Sequence, residues 1–131
     1  MIFPYWEDLS ESVPRVLPLV PITLHGPRES VDLLALVDSG AEHNVVPSEL
    51  ARDLDVALDG AEAVTIVGAG EHEAPGNLVQ CGCQLRRRRW LAPFIFVDVP
   101  VRPVLGQIGF FAFFTVTFRY VKRQINTRWT G

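Results

Sequence analysis

Apolar and polar positions alternate over short stretches of this chain, and the stretches are separated by glycine, proline and charged clusters. Ser30 to Val37 is a short apolar run of the length of a buried strand. Ala63 to Val67 is rich in β-branched residues and runs into Gly68-Ala69-Gly70, a hairpin tip with unusual backbone freedom. Asn77 to Leu85 and Trp90 to Val97 read as partner strands joined by a turn at Arg86 to Arg89. Phe114 to Tyr120 alternates with period two, as a half-buried strand does, and Gln124 to Trp129 follows a turn at Lys122-Arg123. Between Val13 and His25 the apolar residues are interrupted by Pro14, Pro18 and Pro21. Proline has no N–H for a ladder, so the pattern predicts an edge or irregular strand there. Only two segments read as helical: Pro47 to Leu54, with proline near its start and an acid in the first turn, and a short piece from Gly106 to Phe113. The sum is an all-β, closed or sandwiched architecture with one or two short helices. Residues 1–12, aromatic and then acidic, read as an N-terminal arm before a single domain at 13–131.

The chain's 131 residues suffice for one domain, which at this size buries about two-thirds of the surface of the unfolded chain. With 48% hydrophobic and 21% charged residues and a formal charge of −3, nothing marks the whole chain as a nucleic-acid or membrane-surface protein. No apolar run reaches the roughly 18 residues of a spanning helix. The first residues lack a basic stretch followed by an apolar one, so a cytoplasmic protein is expected. Cys81 and Cys83 are too few and too close on one strand face to form a disulfide framework.

The chemistry concentrates at Asp38-Ser39-Gly40, at the end of the Ser30 to Val37 run. Asp-Ser-Gly alone is a common turn sequence. Followed by the glycine tip at Val67 to Gly70 and by Val104-Leu105-Gly106 opening a helix, it becomes specific. A carboxylate on a tight turn at a strand end projects from the sheet, and glycine lets backbone approach it. A lone aspartate, titrating near pH 4, is a poor base at neutral pH. Two carboxylates held together share one proton, so that one activates water and the other protonates the carbonyl oxygen or leaving amine. None of the other aspartates (Asp8, Asp32, Asp53, Asp55, Asp59 and Asp98) sits in such a turn. A second carboxylate therefore has to come from another copy of the chain, which predicts a homodimer with twofold symmetry.

Leu34 to Ala41, Val45-Val46, Ile66 to Gly70 and Val104-Leu105-Gly106 together make the sequence resemble the retropepsin-like aspartic peptidases, single-lobe homodimeric relatives of pepsin. The resemblance implies an acid-protease-like closed barrel and endopeptidase activity without a cofactor, acting on a peptide or protein substrate held extended. It implies that Asp38 is catalytic, that Ser39 joins a grip between subunits and that Gly40 lines the substrate backbone. Val67, Gly68, Ala69 and Gly70 would lie on a flap over the substrate, and Ala41 and His43 would line the cleft. Many pepsin-like lobes have a hydroxyl residue where this chain has Ala41. Without that hydrogen bond the charged dyad is less favoured, which predicts a weakly acidic optimum. Retroviral members pair an aspartate with an arginine where this chain has Glu42 and Gln107, so a weaker Glu–Gln hydrogen bond is expected in their place.

Other features read more plainly. Arg86 to Arg89 suit a solvated hairpin tip better than a nucleic-acid patch. His25, His43 and His72 with the two cysteines fit no zinc spacing, so no metal is expected. Phe110, Phe111, Phe113 and Phe114 suit core and dimer packing. A catalytically silent dimerisation or peptide-binding module is the alternative to an enzyme.

Overall fold

The inward faces of the strands follow the period-two pattern. On β8 (Glu73–Leu85), Cys81, Cys83 and Leu85 are buried in alternation, and on its neighbour β9 (Arg88–Val97) so are Trp90, Ala92 and Phe94, after which Ile95, Phe96 and Val97 are all buried. Both cysteines are free, and burial pushes their thiols above the ordinary range. The computed structural model describes residues 1–10 and 12–131, with Ala69 described by its backbone alone.

The remaining strands are β1 (Ile2–Pro4), β2 (Trp6–Asp8), β3 (Arg15–Leu17), β4 (Leu19–His25), β5 (Ser30–Val37), β6 (Asn44–Pro47), β7 (Glu62–Val67), β10 (Val104–Leu105), β11 (Phe114–Arg119) and β12 (Gln124–Trp129). The fold is all-β. A seven-stranded sheet runs β4-β5-β10-β6-β9-β8-β7, and an added pairing of β4 with β8 closes its first six strands into a ring. Thr23, Leu24 and His25 make that closure against Gln84, Cys83 and Gly82. β7 stays outside the ring, paired with β8 as a hairpin. Val20, Leu24, Ala35, Val46, Phe94, Phe96 and Leu105 fill the interior.

Several elements differ from the sequence reading. The segment expected as an arm is paired within the chain: Ile2, Phe3 and Pro4 face Asn126, Ile125 and Gln124, and β2 pairs with β3. Phe3 is buried, which anchors it. Asp8 is tied to Arg102 and lies 3.8 Å from Arg15. Pro21 is tolerated because its part of β4 has only β5 beside it; β8 joins from Thr23 onward. The first helix, α1, spans only Leu50–Asp53, because Pro47 is held in β6 opposite Val97 and Asp55 turns to a φ of 56°. The second is a five-residue wide turn, Gln107–Phe111. Behind it, the Trp90 ring lies 5.0 Å from Phe114, and Phe110 stacks on Phe114 at 4.8 Å between centroids. Phe110 and Phe114 are buried, while Phe111 and Phe113 are half-buried. Of Arg86 to Arg89 only the first two form the turn; Arg88 and Arg89 belong to β9, with Arg88 opposite Leu85.

Candidate active site

β5 carries the chain up to Asp38, and β6 carries it away. These two strands do not pair with each other. β10 lies between them, parallel to β5 and antiparallel to β6, with Val104 opposite both Leu36 and Val45. The turn from Asp38 to His43 therefore spans a gap filled from below by the chain following β10. The Asp38 N–H donates to the Leu105 carbonyl at 3.0 Å, and the Gln107 and Ile108 N–H groups donate to the carbonyls of Ala41 and Glu42, each at 2.9 Å. Gly106 sits at the crossing. A Cβ there would lie 2.5 Å from the His43 carbonyl oxygen and 2.7 Å from that of Ala41, so only glycine fits.

Within the turn, the Gly40 N–H donates to Asp38 Oδ1 at 2.9 Å, and the Ala41 N–H donates to the Asp38 carbonyl at 3.1 Å. The first of these bonds orients the carboxylate against its own backbone, an Asx-type closure. Asp38 is partly exposed, and Ser39 and Gly40 are exposed. Gln107 does not reach Glu42 as expected. Its side-chain amide donates to the Ser39 carbonyl at 2.6 Å, because the backbone bond from Gln107 to Ala41 sets it beneath Ser39. Glu42 instead lies 3.9 Å from His43 Nε2, an ion pair only when the imidazole is protonated.

Asn44 is a support that the sequence reading passed over. It is fully buried, and its Oδ1 accepts the Gly106 N–H at 2.8 Å. It ties the start of β6 to the crossing beneath Asp38. The signal available in the sequence was alternation: Asn44 occupies the inward phase of β6 shared with Val46. Against it stands Gly109, whose absent side chain makes room for the amide; a Cβ there would be 2.0 Å from Asn44 Nδ2. The Gly109 carbonyl in turn accepts from Trp90 Nε1 at 3.1 Å.

The other expected residues form a second group at the tip of the β7–β8 hairpin. Val67 and Gly68 are exposed there, the Gly68 N–H donates to the His72 carbonyl at 2.8 Å, and Gly70 takes a φ of 76°. The side chain of Ala69 lies outside the described residues. Among the described residues no hydrogen bond joins this tip to the Asp38 turn. Three concavities, of about 520, 230 and 600 Å³, lie elsewhere and include neither group. No group of three or more potential metal ligands occurs among the described residues, and no helix among them is long and apolar enough to cross a membrane.

No family model matches the sequence, and no curated protein matches it. Among solved structures the chain is similar to that of EIAV protease complexed with the inhibitor HBY-793, at a TM-score of 0.55 and 16% identity, over 76% of this chain and 86% of that one. At that identity the likeness speaks for the fold alone, and the chain has a retropepsin-like fold.

Proposed function

We propose that this chain is one half of an aspartic endopeptidase, in which two copies bring their Asp38 carboxylates together about a twofold axis. The observation that carries the reading is the anchoring of Asp38. It stands on a turn bonded to the Leu105 carbonyl and closed by the Gly40 N–H, in a fold similar to that of a protease. Two such carboxylates about 3 Å apart share one proton. The ionised one takes a proton from water as it attacks the scissile carbonyl, while the protonated one gives its proton to the carbonyl oxygen; when the gem-diol collapses, the first passes the water's proton to the leaving amine and the second takes a hydroxyl proton back, restoring the pair. Ser39 would link the two turns, and Gly40 and Ala41 would face the substrate backbone. Val67, Gly68, Ala69 and Gly70 would close over an extended peptide held by main-chain hydrogen bonds. His43, beside Glu42 at the turn's far end, would set side-chain preference. The openness of Asp38 in a single chain agrees with a cleft that a second copy completes. A cytoplasmic setting, where thiols stay reduced, suits the buried free Cys81 and Cys83.

The test is cleavage of a peptide library by the wild type and by Asp38→Asn between pH 3 and 7, with the molecular mass measured by sedimentation. The wild type is expected to cleave as a dimer, fastest at weakly acidic pH. Asp38→Asn is expected to remain a dimer and to lose at least about a hundredfold in rate, the lower range of acid–base catalysis. A folded dimer that cleaves nothing with either residue at 38 would instead favour a catalytically silent dimerisation or peptide-binding module. A rate peaking below about pH 3, under the reference carboxylate range, would refute the role given to Ala41.

A further inference from the structure

The β8–β9 turn and the start of β9 gather four consecutive arginines. Arg86 adopts a φ of 53°, a left-handed conformation that favours glycine or asparagine in hairpin turns. Arg86 and its successors Arg87 and Arg88 line a concavity of about 520 Å³ together with Arg128 of β12, Met1, Thr127 and Trp129. Among the described residues, none of the four arginines lining it is paired with a carboxylate. Two of them are held in place by other means. The Arg86 guanidinium lies 4.2 Å from the Phe3 ring centre and donates to the Ile2 carbonyl at 3.0 Å, and Arg88 lies 4.5 Å over the Trp129 ring. A guanidinium stacked on an aromatic face is pre-oriented and keeps N–H edges for a planar anion, with little side-chain entropy left to lose.

We propose that this groove docks an acidic peptide segment of a partner protein, with carboxylates on the four arginines and an apolar side chain against Met1. Net charge favours a peptide over a nucleic acid. Without these four arginines the chain has eight basic residues against fifteen acidic ones. A long polyanion works against that overall negative charge, whereas a short acidic segment brings little charge beyond what the four arginines neutralise. The volume is in the usual range for a site holding a few residues, about 300–1,000 Å³. The groove is separate from the Asp38 turn, and the proposal is independent of peptidase activity.

The experiment is fluorescence anisotropy of three fluorescein-labelled probes on the full chain: a peptide of glutamates interrupted by leucine, the same peptide with glutamine for glutamate, and a single-stranded oligonucleotide of equal length. The glutamate peptide is expected to bind at least tenfold tighter than the glutamine peptide and tighter than the oligonucleotide. Arg87→Glu and Arg128→Glu, one in the turn and one on β12, are each expected to weaken it at least tenfold, while Arg28→Glu, which lies away from the groove beside Asp55, leaves it unchanged. Thermal melting by circular dichroism checks folding, and either wall variant suffices if the other unfolds. Equal binding of the two peptides, absence of binding, or indifference to both wall variants overturns the proposal. Preference for the oligonucleotide overturns it in favour of a nucleic-acid site.

Discussion

Replacing Gly109 by alanine tests the support beneath Asp38 in a way that the partner residue can rescue. The added methyl would lie 2.0 Å from Nδ2, 2.3 Å from Cγ and 2.7 Å from Oδ1 of Asn44, all well inside contact distance. Asn44 cannot swing away freely, because its Oδ1 holds the Gly106 N–H in a fully buried position. Forcing a methyl into such packing costs about 1–3 kcal/mol. Asn44→Ala alone strands the buried Gly106 N–H, at about 1–3 kcal/mol, partly offset because Nδ2, which has no partner among the described residues, no longer has to be desolvated. The double variant removes the three atoms nearest the new methyl, so the methyl introduced at position 109 fills the space that the Asn44 amide vacates. Its destabilisation is therefore expected to fall short of the sum of the single losses by about 1–3 kcal/mol, the overpacking cost that the second substitution relieves. Urea unfolding followed by tryptophan fluorescence reads all four proteins, since Trp90 is bonded to the Gly109 carbonyl. Additivity within about 0.5 kcal/mol, the behaviour of independent sites, would refute the claim that the Asn44 amide is the group excluding a side chain at position 109.

Gly106→Val is expected to cost more than Gly109→Ala. Its Cβ meets the carbonyl oxygens of His43 and Ala41 at 2.5 and 2.7 Å, backbone that no rotamer change can move; comparable urea midpoints for the two variants would contradict this. Asp8 is held down to about 2 by the Ser10 hydroxyl and N–H and by the Arg102 guanidinium. A carboxyl depressed on folding stabilises fully above its unfolded value near 3.9 and loses that contribution as pH falls toward about 2. Asp8→Asn is accordingly expected to be less stable than the wild type by a constant amount above about pH 5, with the gap narrowing as pH falls through about 2; a gap that does not narrow between about pH 5 and 2 would show that the ionised carboxylate contributes nothing.

The Asp38 turn was legible because its information is local. Asp38, Ser39 and Gly40 are consecutive, and the apolar run that delivers them is long enough to show its character. β8, β9, β11 and β12 were legible for the same reason, since each contains a stretch of alternate burial, clearest over Cys81 to Leu85, Trp90 to Phe94 and Ile125 to Thr127. Asn44 escaped notice because nothing adjacent in sequence says that a polar residue at a strand start will accept the N–H of Gly106, which lies 62 positions away. The arm escaped because its partner, β12, lies about 120 residues away and a three-residue strand has no period to read. Arg86 to Arg89 were legible as a turn, yet their meeting with Arg128 over one concavity depends on where β12 lies.

By itself, then, the sequence determined the all-β class, the turn that presents Asp38, and the glycine-tipped hairpin, because each follows from side-chain periodicity or backbone freedom within a few residues. The tertiary structure alone decided that the two-residue β10 enters between β5 and β6, that β4 closes the ring on β8, and that Gln107 turns to Ser39 rather than to Glu42. Those choices rest on pairings between distant segments. Their free energy comes from satisfying backbone groups and excluding water across the whole core, a quantity that no single stretch of the chain contains.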